Sequence, residues 1–160
     1  DTIDDNYCPQ CGTTVVIPSH IRKYEAIGIS KSIENLLKAI GFDADLARMG
    51  LKNWSVTQGS AKINITYHEK SGLVTGDAYL ATLPEDDTKE LYKFLLRENY
   101  SMENLTLSVK GKNIILSLLI FDQYMEQKIA LKLFKTLFEM ADHYDNILVE
   151  EYGADWIVHP

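Results

Sequence analysis

Two cysteines, four prolines and no long apolar run in 160 residues exclude several classes of protein at once. A disulfide-dense scaffold needs many more cysteines than Cys8 and Cys11. The longest apolar stretches, 114–116 and 118–121, fall far short of the roughly 20 residues that span a bilayer. No basic start leads into an apolar stretch as a secretory signal would. The expected setting is therefore the cytoplasm, with no membrane contact. Basic residues are also few, 16 against 23 acidic ones, for a formal net charge of −7. A phosphate backbone would be repelled overall, so no nucleic acid is expected as a partner. Glycine-rich phosphate loops are absent as well: no GxGxxG follows a strand-like run and no Lys-Ser/Thr pair closes a Walker-type loop.

What is present is ordinary globular composition, 46% hydrophobic and 24% charged, at a length suited to one core. Residues 1–28 stand apart. They begin acidic and polar, continue through Cys8-Pro9-Gln10-Cys11-Gly12, and end a short β-branched run, Thr13 to Ile17, at Pro18. This reads as a small appendage, with the packed domain occupying 29–160.

In that domain Ser30 is placed to cap a helix whose Ile33, Leu36, Leu37 and Ile40 recur at helical spacing, with Gly41 as its stop. Asp43 to Leu51 adds a short helical turn. Trp54 and Val56 then alternate with polar residues as a strand would, as do Ile63, Ile65 and Tyr67. The turn at 69–72 leads into a third strand, Leu73 to Leu83, interrupted by Gly76. Asp87 and Glu90 have capping-box spacing ahead of a second helix carrying Leu91, Phe94 and Leu95. Two further strands follow, at Leu105 to Val109 and Ile114 to Phe121, around a turn at 110–113. Asp122 is placed to cap a long final helix striped by Ala130, Leu133, Phe134, Leu137, Phe138, Ala141, Tyr144 and Leu148. Short connections make the strands antiparallel. The expected fold is α+β, an antiparallel five-stranded sheet in the order α-β-β-β-α-β-β-α, with the first and third helices on one face.

The run Leu91-Tyr92-Lys93-Phe94-Leu95-Leu96-Arg97-Glu98-Asn99, the hairpin through Lys110-Gly111-Lys112-Asn113, and Ala141 to Leu148 on the final helix resemble the YbjN-type domain and the related type III secretion chaperone fold. The resemblance covers about 30–154. It implies a homodimer that binds another polypeptide or regulates one, in extended form in the secretion chaperones, with no catalytic residues to carry over. The segment bearing Cys8 and Cys11 departs from that pattern.

Cys8-Pro9-Gln10-Cys11-Gly12 is the most specific local motif. Two thiolates in a tight Gly-containing turn converge on one tetrahedral Zn²⁺, and His20 is a further donor. A disulfide or a pair of reduced thiols are the other readings. His68 and His143 share no short motif with a nucleophile and read as surface histidines. The last strand is apolar on both faces. Ile114, Leu116, Leu118 and Ile120 point one way; Ile115, Leu119 and Phe121 point the other, so the second helix or a partner must cover that second face. Ile115, Leu119 and Phe121 are accordingly the candidate partner-binding residues. The reading is a non-catalytic, chaperone-like or regulatory protein-binding module, a homodimer. The alternatives are a small redox or hydrolytic enzyme using Cys8, Cys11 or a histidine, and a zinc-ribbon adaptor contacting nucleic acid.

Overall fold

The structure, a computed structural model, describes residues 26–126 and 128–158. Cys8, Cys11 and His20 lie outside the described residues.

The first helix, α1 (Gly28–Ile40), buries Ile33, Leu36 and Leu37 on one stripe and ends at Gly41, whose φ of 113° is open to glycine and costly for other residues. Its start differs from expectation. Ser30 lies inside the helix, buried, and donates its hydroxyl to the Leu51 carbonyl at 3.3 Å. Asp43 caps the one-turn helix α2 (Ala44–Ala47) by accepting from the Asp45 and Leu46 amides.

Strands β1 (Arg48–Gly50), β2 (Asn53–Gln58), β3 (Ala61–His68) and β4 (Leu73–Thr82) form an antiparallel meander. Helix α3 (Lys89–Ser101) separates them from the hairpin of β5 (Leu105–Lys110) and β6 (Asn113–Phe121). A 3-10 turn, Asp122–Tyr124, leads to α4 (Lys128–Tyr152), and β7 (Asp155–Trp156) closes the order. The sheet runs β1-β2-β3-β4-β6-β5, with β7 beside the end of β4, and so has seven strands among the described residues where the sequence predicts five. The two additions are three and two residues long, too short to display a period of two. Two predicted caps also differ. Thr88 precedes α3 without a side-chain cap bond, and Asp87 sits at φ 49°. Asp122 opens the 3-10 turn, not α4.

Helix α4 lies across β4 and β6, and α1 packs against it. Gly76 is the reason α4 can come so close. A Cβ there would stand 2.7 Å from Leu137 Cδ2 and 3.2 Å from Phe134 Cε1. The glycine that interrupts the strand pattern is thus a packing position. The core gathers Trp54, Ile63, Ile65, Val74, Ile114, Leu116, Leu118, Phe134 and Leu137 between sheet and helices. No described helix is long and apolar enough to cross a membrane.

Candidate protein-binding site

Strand β6 sends alternate residues to opposite faces. Ile114, Leu116, Leu118 and Ile120 are sealed in the core. On the other face Ile115 stands opposite Tyr79, Leu119 opposite Thr75 and Phe121 opposite Leu73. These three residues share a face but not an environment: Ile115 is 4% exposed, Leu119 57% and Phe121 54%. Helix α3 does not cover the latter two, because it turns Leu91 and Leu95 into the common core.

Leu119 and Phe121 line a groove of about 460 Å³ with Tyr124, Ile129 and Leu133. The turn that follows β6 is anchored to the β3–β4 hairpin. The Asp122 amide donates to the Gly72 carbonyl at 2.8 Å, and Tyr67 Oη donates to Asp122 Oδ2 at 3.1 Å. Burial, and then the Asp122 carboxylate, push the Tyr67 phenol above its ordinary value. The turn that presents Phe121 and Tyr124 is therefore fixed by two hydrogen bonds.

A second apolar surface lies on α3. Tyr92, Leu96 and Tyr100 recur every fourth residue on its outer side, with Leu96 70% and Tyr100 95% exposed. Sequence reasoning passed over this stripe because the same helix carries a core stripe at Leu91 and Leu95. The four-residue spacing of three large apolar side chains was the available signal. Phe94 stacks on Tyr152 with ring centroids 4.4 Å apart, Tyr144 Oη donates to Glu98 Oε2 at 2.6 Å, and Asn99 bonds the Leu107 backbone. Burial first, and Glu98 second, push the Tyr144 phenol up. These contacts fix the rotation of α3 and so decide which of its faces is outward.

Ionisable groups are used structurally. Glu34 is buried on α1, where one oxygen accepts from Arg48 Nε at 2.7 Å and from Trp54 Nε1 at 3.2 Å. The hydrogen bond to Glu34 is the largest cause raising the Arg48 pKa. Asp145, also buried, accepts from Ser60 Oγ through Oδ2, while Oδ1 has no hydrogen-bond partner among the described residues. His68 is exposed at the end of β3 and bonds Thr75 Oγ1 at 3.2 Å; His143 is exposed on α4 with its ring 5.3 Å from that of Tyr144. Among the described residues no group of three or more His, Cys, Asp or Glu side chains is arranged to hold a metal ion.

No protein-family model matches the sequence, and no curated protein matches it. Solved structures do match the fold. A chain of the ExsC–ExsE complex superposes with a TM-score of 0.57 at 11% identity, over 76% of this chain and 97% of that one. A chain of the heterodimeric ExoU–SpcU complex, from the type III secretion system of Pseudomonas aeruginosa, gives 0.55 at 14% identity, over 72% and 96%. The Yersinia pestis type III secretion chaperone SycH, in complex with a stable fragment of YscM2, gives 0.52 at 14% identity, over 72% and 98%. The described chain has the fold of type III secretion chaperones.

Proposed function

We propose that this protein is a non-catalytic, chaperone-like module that holds another polypeptide and acts in the cytoplasm as a homodimer. The observation that carries the reading is the pair Leu119 and Phe121, more than half exposed on a strand whose opposite face is sealed in the core. Large apolar side chains gathered around a groove favour association. The matched solved structures are protein–protein complexes, one of them of a type III secretion chaperone with a fragment of its partner, which supports the same reading.

The groove takes apolar side chains of the partner polypeptide, and the Tyr92–Leu96–Tyr100 stripe of α3 takes a second copy of this chain. Cys8 and Cys11 supply two thiolates to a zinc knuckle, with His20 as a further donor; metal analysis of the full chain tests that assignment. For the main reading, wild-type protein and L119D/F121D are used as bait in the native host, with mass spectrometry of what each retains. A protein held by wild type and lost from the variant is the expected result. Equal retention by both removes the groove from the reading. Sedimentation equilibrium at micromolar concentration tests the homodimer, and a monomer there ends that part of it.

A further inference from the structure

Strand β6 outruns its neighbour. Its pairing with β4 continues to Leu73 opposite Phe121, whereas its pairing with β5 ends at Leu105 opposite Leu118. Continued in register, β5 would set Asn104 opposite Leu119 and Glu103 opposite Ile120, and its backbone would fill the β5 side of the groove that Asn104, Leu119 and Phe121 line. Asn104 is where that continuation stops. Its φ is 63°, in the left-handed region that turns a chain out of an extended strand. Both ends of the connection are fixed. The Met102 amide donates to the Glu98 carbonyl at 2.9 Å and the Met102 side chain packs on the core, while Leu105 is buried at the first pair of the strand. Glu103 and Asn104 alone lie between them, both exposed. Asparagine enters the left-handed region more readily than most residues that carry a Cβ, so residue type and conformation agree.

We propose that the left-handed backbone of Asn104 holds this groove open, which makes Asn104 a positioning residue for the apolar side chains that enter it and rests on the reading of the groove as a binding site. A residue that resists the left-handed region biases 103–104 toward the extended form. The strand then lengthens alongside Leu119–Phe121, and the groove narrows from the β5 side. Bulky β-branched residues resist that region strongly, and glycine adopts it freely. Backbone and side chain are thereby separable: N104V closes the groove and N104G leaves it open, although both delete the carboxamide.

The test is equilibrium binding of the neutral apolar dye N-phenyl-1-naphthylamine to the full chain and to N104V, N104G and L119D/F121D, each shown to be folded by circular dichroism. The expected result is dye binding that L119D/F121D abolishes and N104V weakens about tenfold, with N104G binding about tenfold more tightly than N104V. Equal affinity of wild type and N104V overturns the proposal. So does N104G as weak as N104V, because the carboxamide and not the backbone is then the group that matters. Should N104V fail to fold, N104A imposes the same bias with a smaller side chain, and the same outcomes decide. Dye that binds L119D/F121D as tightly as wild type removes the groove reading and this role of Asn104 together. Dye lost from L119D/F121D yet held equally by wild type and N104V removes the role of Asn104 alone, so the two failures are distinguishable.

Discussion

The carboxamide of Asn99 makes both hydrogen bonds that a neighbouring strand would make to Leu107: Nδ2 donates to the Leu107 carbonyl at 2.8 Å and Oδ1 accepts from its amide at 2.7 Å. The last full turn of α3 is thus pinned to the edge strand β5 by one side chain, and the helix occupies the edge. Replacing Asn99 by Ala leaves two backbone groups of a buried residue without partners. The expected cost is about 2 kcal/mol, read as a lowered urea midpoint with faster Leu107 amide exchange. An unchanged midpoint would show that water replaces the carboxamide at no cost.

Gly76 and Leu137 are a steric pair across the sheet–helix interface. Gly76→Ala should destabilise by about 1–3 kcal/mol through overpacking. In the double variant with Leu137→Ala the total loss should be smaller than the sum of the two single losses, because each change makes room for the other. Strict additivity in denaturant melts would refute the contact.

Arg48 Nη2 stands 2.6 Å from Glu34 Oε1 at the edge of the core, with the Glu34 and Arg48 side chains 7% and 18% exposed. Arg48→Met leaves a buried carboxylate with Trp54 Nε1 and should cost about 3 kcal/mol. Adding Glu34→Gln should recover part of that loss, since the neutral amide is cheaper to bury. If E34Q/R48M is no more stable than R48M, the buried charge is not the source of the penalty.

Asp145 sets a pH dependence of unusual sign. Burial is the first cause raising its pKa, and the neighbouring Asp142 charge adds to it against the Ser60 hydrogen bond. Between the ordinary aspartate value near 4 and the raised value, the folded chain binds more protons at this site than the unfolded chain. The Asp145 contribution to stability therefore falls as pH rises through that window and is greatest below it. Wild type should gain on D145N as the solution is acidified from about pH 7 to about pH 4, measured by urea midpoints of both proteins in parallel. A gap that widens in the opposite direction would rule out the assignment.

Much of the architecture was legible because it repeats. The helical stripe from Ala130 to Leu148 and the alternation through Ile63, Ile65 and Tyr67 each extend over enough residues for their period to identify the element. Strand β1 and strand β7 do not, since pairing by neighbouring strands, not local pattern, holds them. The caps misread at Ser30, Asp87 and Asp122 share one cause. A polar residue ahead of an apolar stripe has the chemistry of a cap, and tertiary bonds such as Ser30 to the Leu51 carbonyl claimed one of them for another task.

By itself the sequence determined the kinds of element, their order, and the parity that sets Ile115, Leu119 and Phe121 on one face, because periodicity and turn chemistry are local. Tertiary structure alone decided which of them is covered. Ile115 is buried while Leu119 and Phe121 remain open, α3 turns outward a stripe that its composition did not single out, and Glu34 and Asp145 are drawn into the interior. Exposure belongs to the surfaces that meet in space, and no local pattern records what will lie across from a residue once the chain has folded.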